Sequence, residues 1–95
     1  MSHLSTPDNF EVTNVQLSDF QTSVDQLQSL GISPKYIHIF ASGGLINAKN
    51  YATPVGNIAR TGLAFYGYGH PDLQPALRCT TQLTQIKHIQ KGDTV

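Results

Sequence analysis

The chain has 95 residues, enough for one domain at most, with 39% apolar and only 13% charged residues, six basic against six acidic. A neutral chain without a basic cluster gives no electrostatic case for nucleic acid or an anionic membrane, and no apolar run approaches the length of a membrane span. One cysteine, Cys79, excludes an internal disulfide framework and fits a reducing compartment.

Residues 1–13 are rich in Ser, Thr, Pro, Asp and Asn and read as loop, with a strand end at Ser2-His3-Leu4. The N-terminus has neither the basic start nor the apolar stretch of a secretory signal, so the expected location is the cytoplasm. His3 on position alone reads as a solvated terminal histidine. A helix follows, capped by Thr13 or Asn14 and with Asp19 early in its run. Leu17, Phe20, Val24, Leu27 and Leu30 recur at helical spacing and form one apolar face. Gln16, Asp19, Ser23, Gln26 and Gln28 fall largely outside it. Gly31 supplies a left-handed stop, and Pro34 prevents continuation.

Tyr36-Ile37-His38-Ile39-Phe40 suits a strand buried on both faces of a parallel sheet. His38 interrupts that run, and a lone strand histidine is more often a satisfied core residue than a ligand. Ala41-Ser42-Gly43-Gly44 comes next, and Leu45-Ile46-Asn47-Ala48 can start a helix. Strand, Ser-Gly-Gly, helix is an arrangement that aims backbone N–H groups and a hydroxyl at an anion. Ser-Gly-Gly is also an ordinary turn. Residues 50–57, with Pro54 and Gly56, read as connection.

Asn57 to Gly69 then forms the most informative stretch. Ile58-Ala59-Arg60 reads as a strand end, and Gly62 to Tyr66 as a turn or short helix. Buried arginine is rare unless a partner accepts its hydrogen bonds. Gly62 lets the backbone approach something closely or turn sharply. The stretch therefore looks like one edge of a binding site. Gly67, Gly69 and Pro71 mark a loop and a domain boundary near residue 72. From Ala76 the period becomes two: Leu77, Cys79, Thr81 and Leu83 alternate with Arg78, Thr80, Gln82 and Thr84, as in a strand with one wet face. Ile86 and Ile89 fall out of step, as at a bulge or in a second short strand. Lys91-Gly92-Asp93 is a turn, and Val95 stands where another strand could begin. Two parallel strands with one good helix cannot close a core, and a single wet strand needs neighbours.

Five pieces in this order resemble the alanine racemase family. They are Ser2-His3-Leu4 with Asp8; Gln16-Leu17 with Phe20; His38-x-x-Ala41-Ser42-x-Gly44; Arg60-x-Gly62-Leu63-Ala64-x-Tyr66-Gly67; and Gly92-Asp93-x-Val95. The arginine-containing piece is the most specific, and the resemblance runs almost end to end. It implies an α/β fold class. Residues 1–72 would be the last strands of a partial (β/α)8 TIM-type barrel, from about strand six. Residues 73–95 would open a β-rich C-terminal domain. It also implies a pyridoxal 5'-phosphate cofactor, alanine as substrate and a homodimeric full-length protein that supplies D-alanine for peptidoglycan. In such barrels the loops after strands seven and eight commonly form a phosphate site at the C-terminal face.

By position, Ser42 resembles the phosphate-binding serine, and Gly62 and Leu63 resemble the residues whose N–H groups meet the phosphate. Arg60 resembles the arginine that donates to the pyridine nitrogen. Arginine has no acceptor and keeps its charge, so that nitrogen would stay unprotonated and the ring would be a weaker electron sink. His38 resembles the histidine bonded to this arginine, and His3 the one linking it to a catalytic tyrosine. Ala41 stands where the family commonly has asparagine. The family's cofactor-linking lysine lies upstream of every residue here, and Lys35, Lys49, Lys87 and Lys91 match no such position. The tyrosine base follows the Gly-Asp-x-Val piece. The expectation is thus an internal fragment that is inactive and poorly folded alone. The alternatives are a serine or other amino-acid racemase of the same fold, or a non-catalytic remnant that binds phosphate or the cofactor.

Overall fold

The computed structural model describes residues 1–53 and 55–94; Pro54 and Val95, both used in the sequence reading, lie outside them. One long helix dominates, α1 over Phe10–Ser29. It starts four residues earlier than a Thr13 cap would place it. Asn9 is the N-cap, and its side chain accepts from Val12 N–H at 3.2 Å. Thr13 is instead fully buried within the first turns, its hydroxyl donating to Thr6 O at 3.0 Å. Asparagine is as good a cap as threonine. The apolar periodicity could not choose between them, because Thr13 itself occupies an inward position. At the other end Gly31 takes φ +77°. Gly31 N–H donates to Gln28 O (2.9 Å) and Ile32 N–H to Leu27 O (3.0 Å), which is the Schellman arrangement that satisfies the last carbonyls.

The buried stripe of α1 is Thr13, Leu17 and Val24, with Phe20 packed at its edge. Leu27 and Leu30, predicted on the same face, are exposed. The helix outruns the small core beneath it, so its last turn has nothing to pack against. That core gathers Leu4, Leu17, Ile39, Phe40, Tyr51 and Val55 from four chain segments. Phe40 stacks on Tyr51 with ring centroids 5.8 Å apart, and Phe10 meets Tyr51 edge-on at 6.1 Å. The Tyr51 hydroxyl donates to Pro7 O at 2.9 Å, anchoring the N-terminal loop.

Tyr36–Phe40 does not form the predicted strand ladder. Among the described residues the backbone pairing is a single parallel bridge between Ala41 and Arg60. The direction is the predicted one. Arg60 N–H donates to Phe40 O (2.9 Å), Asn57 N–H to Ile37 O (2.9 Å), and on the other side Ser2 N–H donates to His38 O (3.0 Å). Asn57 continues the pairing with its side chain, accepting from Ile37 N–H and donating to Lys35 O, each at 3.0 Å. Three segments thus lie side by side around residues 37–41, and Ile39 and Phe40 are buried between them.

The helix expected at Leu45 begins three residues sooner. α2 spans Ser42–Ile46, so Ser-Gly-Gly is its first turn and not a loop before it. Gly44 explains the close seat. A Cβ there would lie 2.8 Å from Leu4 Cδ1 and 2.9 Å from Phe40 Cδ1. Short 3-10 turns follow at Ala48–Asn50 and Leu63–Tyr66; the second is the predicted turn after Arg60. Residues 74–94 are exposed and carry no regular element except a turn at Lys91-Gly92, where Gly92 has φ +103°. The period-two stretch forms no strand: Leu77 and Leu83 face solvent, because the alternation defines a dry face that has no partner among the described residues. The radius of gyration is 21.2 Å, against about 12 Å for a compact domain of this length. A closed barrel is not present among the described residues.

Candidate functional site

The three side-by-side segments end at one edge, and there the predicted site residues meet. Arg60 leaves its bridge position with a half-buried guanidinium. Its Nη1 donates to His38 Nδ1 at 2.6 Å and more distantly to His38 O at 3.5 Å. Its Nη2 donates to Ser2 O at 2.8 Å and to His3 Nδ1 at 3.0 Å. Arginine has donors only, so both histidines must present a bare Nδ1 and carry their proton on Nε2. Partial burial first, and the Arg60 charge second, hold the His38 pKa below its ordinary 6.5, which favours this neutral form. The arginine is therefore oriented from both sides by neutral imidazoles. Its Nε–H has no protein acceptor among the described residues.

Ser42, at the start of α2, faces the turn after Arg60. Its Oγ accepts from Gly62 N–H and from Ala64 N–H, each at 3.1 Å. A hydroxyl has two acceptor positions and one proton. With both acceptor positions taken, the Ser42 proton is left for another acceptor. The N–H of Leu63, between the two donors, finds no acceptor among the described residues. Gly62 has φ −95°, so left-handed backbone is not what it supplies. A Cβ on Gly62 would meet nothing within 4 Å, which means no protein atom requires its bareness.

These groups border a cleft of about 560 Å³ whose walls include His3, Ala41, Ser42, Arg60, Gly62 and Leu63. His38 stands behind Arg60 and is not on the wall. None of Lys35, Lys49, Lys87 and Lys91 reaches the cleft. Among the described residues, no group of three or more His, Cys, Asp or Glu could hold a metal ion, and no helix is long and apolar enough to cross a membrane.

Two residues quoted only as parts of motifs contribute backbone contacts that the sequence did not assign. Ser2 acts through a carbonyl, which every residue has. Ala64 acts through an N–H, which only the fold of the turn aims at Ser42. For both, the signal appears only once the segments are side by side.

Residues 1–71 match the family described as "Alanine racemase, N-terminal domain". Curated relatives similar to this chain include the alanine racemases of Borreliella burgdorferi (strain ZS7), 32% identical over 99% of this chain and 27% of that protein; of Thermodesulfovibrio yellowstonii, 34% identical over 100% of this chain and 25% of that protein; and of Aquifex pyrophilus, 32% identical over 97% of this chain and 26% of that protein. The chain spans about a quarter of the length of these relatives. No solved structure matches it. The match over residues 1–71, and relatives whose resemblance continues to the chain's last residues, establish that this chain belongs to the alanine racemase family.

Proposed function

We propose that the chain is the cofactor-cradling part of a pyridoxal-phosphate-dependent racemase that interconverts L- and D-alanine. The observation that carries this reading is the guanidinium of Arg60 bonded to His38 and His3 beside a cleft where Ser42 meets the Gly62 turn. The donor set fits an aromatic cofactor bearing a phosphate. Ser42 O–H and Leu63 N–H are available to phosphate oxygens. Gly62 N–H joins them if it shares or exchanges its bond to Ser42 Oγ. The open space beside Gly62 leaves room for a ligand's close approach. Arg60 Nε–H is the donor for a ring nitrogen. His38 and His3 fix the plane of the guanidinium, and because both are neutral they add no charge to the site. Ala41 offers no side-chain donor beside Ser42.

When bound, pyridoxal phosphate withdraws electrons from the substrate α-carbon. Racemisation also needs a proton acceptor on one face of that carbon and a proton donor on the other, the two bases exchanging roles in the reverse direction. No lysine of this chain reaches the cleft, which favours binding without racemisation by these 95 residues alone. In the reading proposed here both bases lie in other parts of the protein. Residues 1–72 belong to the cofactor barrel and 73–95 open a β-rich domain. The protein works as a cytoplasmic homodimer and supplies D-alanine for peptidoglycan.

The test uses the protein at its natural length, loaded with pyridoxal phosphate. D-alanine formed from L-alanine, with L-serine racemised more slowly, is the expected result. Cofactor retention without any racemisation would support the remnant reading, and no cofactor retention would overturn both.

A further inference from the structure

The segment carrying His3 has no regular structure of its own, and His3 is exposed. Packing on the imidazole therefore does not hold it against Arg60. The backbone of the segment must do so. One flank is fixed by Ser2 N–H donating to His38 O. On the other flank stands Gln16, half-buried on α1 beside the fully buried Leu17. Its Nε2 donates to His3 O at 2.6 Å, and its Oε1 accepts from Ser5 N–H at 3.1 Å. One side-chain amide thus meets the carbonyl of one residue and the N–H two residues on. The N–H and C=O of one residue in a parallel neighbouring strand make this same pair of bonds.

We propose that Gln16 is a positioning residue for His3 and, through His3 and Ser2, for one half of the Arg60 guanidinium. The inference rests on the reading of Arg60 and His3 as site residues. Its physical basis is an asymmetry. Both acceptors of Nη2, Ser2 O and His3 Nδ1, belong to the segment that Gln16 clamps. The acceptors of Nη1 both belong to His38, on a different segment. Losing the clamp should free Nη2 and leave Nη1 in place. The clamp also ties the site to a 20-residue helix, the longest element among the described residues.

The experiment is NMR of histidine and arginine side chains in the natural-length protein without cofactor. It compares wild type with Gln16→Ala and Gln16→Glu. Glutamate fills the same space and still accepts from Ser5 N–H, but as a carboxylate it cannot donate to His3 O. The expected result is loss of the His3–Arg60 cross-peaks in both variants, with the His38–Arg60 cross-peaks retained. Retention of the His3–Arg60 contact in Gln16→Glu overturns the proposal. So does loss of both contacts together in that variant, which would make Gln16 a general support of the fold. If Gln16→Ala fails to fold, Gln16→Glu decides alone. Failure of the parent reading is seen separately, as wild-type protein that shows the contacts and retains no pyridoxal phosphate.

Discussion

Replacing Arg60 with lysine keeps the charge and removes the planar fork. Arg60 makes three close bonds, at 2.6, 2.8 and 3.0 Å, to acceptors on two chain segments. A lysine ammonium is a compact point donor and can keep one of those directions. Two bonds from a charged donor would then be lost, roughly 3–6 kcal/mol if the site were dry. It is not dry: the guanidinium is half-buried and His3 is exposed, so water takes over part of each lost bond. The expected destabilisation is about 1–3 kcal/mol. Urea unfolding of the natural-length protein, followed by far-ultraviolet circular dichroism, measures it. The backbone bridge at position 60 needs no particular side chain and should survive, leaving the helical signal of the native state unchanged. A variant within about 0.5 kcal/mol of wild type would refute the claim that this fork ties residues 2–3 to residue 38.

Asn9→Ala removes the oxygen that accepts from Val12 N–H and should lower stability by about 1 kcal/mol, read from the same unfolding curves. Gly56→Ala should cost more, about 2 kcal/mol or above. Gly56 has φ +105°, and the new Cβ would sit 2.6 Å from Ile37 O, a backbone atom that cannot swing aside. A stability equal to wild type would contradict that geometry. The pH dependence follows from His38, whose folded pKa is depressed. The unfolded chain then binds the proton more readily, so stability is full above pH ~6.5 and falls as pH drops from there toward the folded pKa. His38→Gln should flatten this slope in a series of melts between pH 5 and 8. An unchanged slope would assign the acid sensitivity to another group.

Local grammar was legible where it depends on neighbours in the chain. The Gly31 stop, the turn after Arg60 and the turn at Lys91-Gly92 each rest on bonds spanning a few residues. Helix α1 was legible in kind and location. Its start was not, because Asn9 and Thr13 are equivalent as caps until Thr13 is seen buried with its hydroxyl on Thr6 O. The apolar stripe overestimated the core in the same way. Leu27 and Leu30 have the right spacing, but burial needs a surface to meet, and the core ends beneath Val24.

The strand readings separate the two kinds of information further. Tyr36–Phe40 and the stretch from Ala76 have strand composition, and neither builds a ladder among the described residues. A strand is half of an interaction whose other half lies elsewhere in the chain or in another part of the protein. Composition specifies the half that is present.

The amino-acid sequence by itself determined the family, through the order and spacing of its motifs, and the identities of Ser42, Arg60, Gly62, His38 and His3 as candidates. It also determined the helix and its stop, which depend on local bonds. Only the tertiary structure decided that Arg60 is shared between two histidines 22 and 57 residues away. Only it decided that Ser42 spends both acceptor positions on the Gly62 turn, and that Gln16 grips the segment of His3. Hydrogen bonds between distant segments depend on where the backbone runs, and a linear pattern of residue types does not contain that.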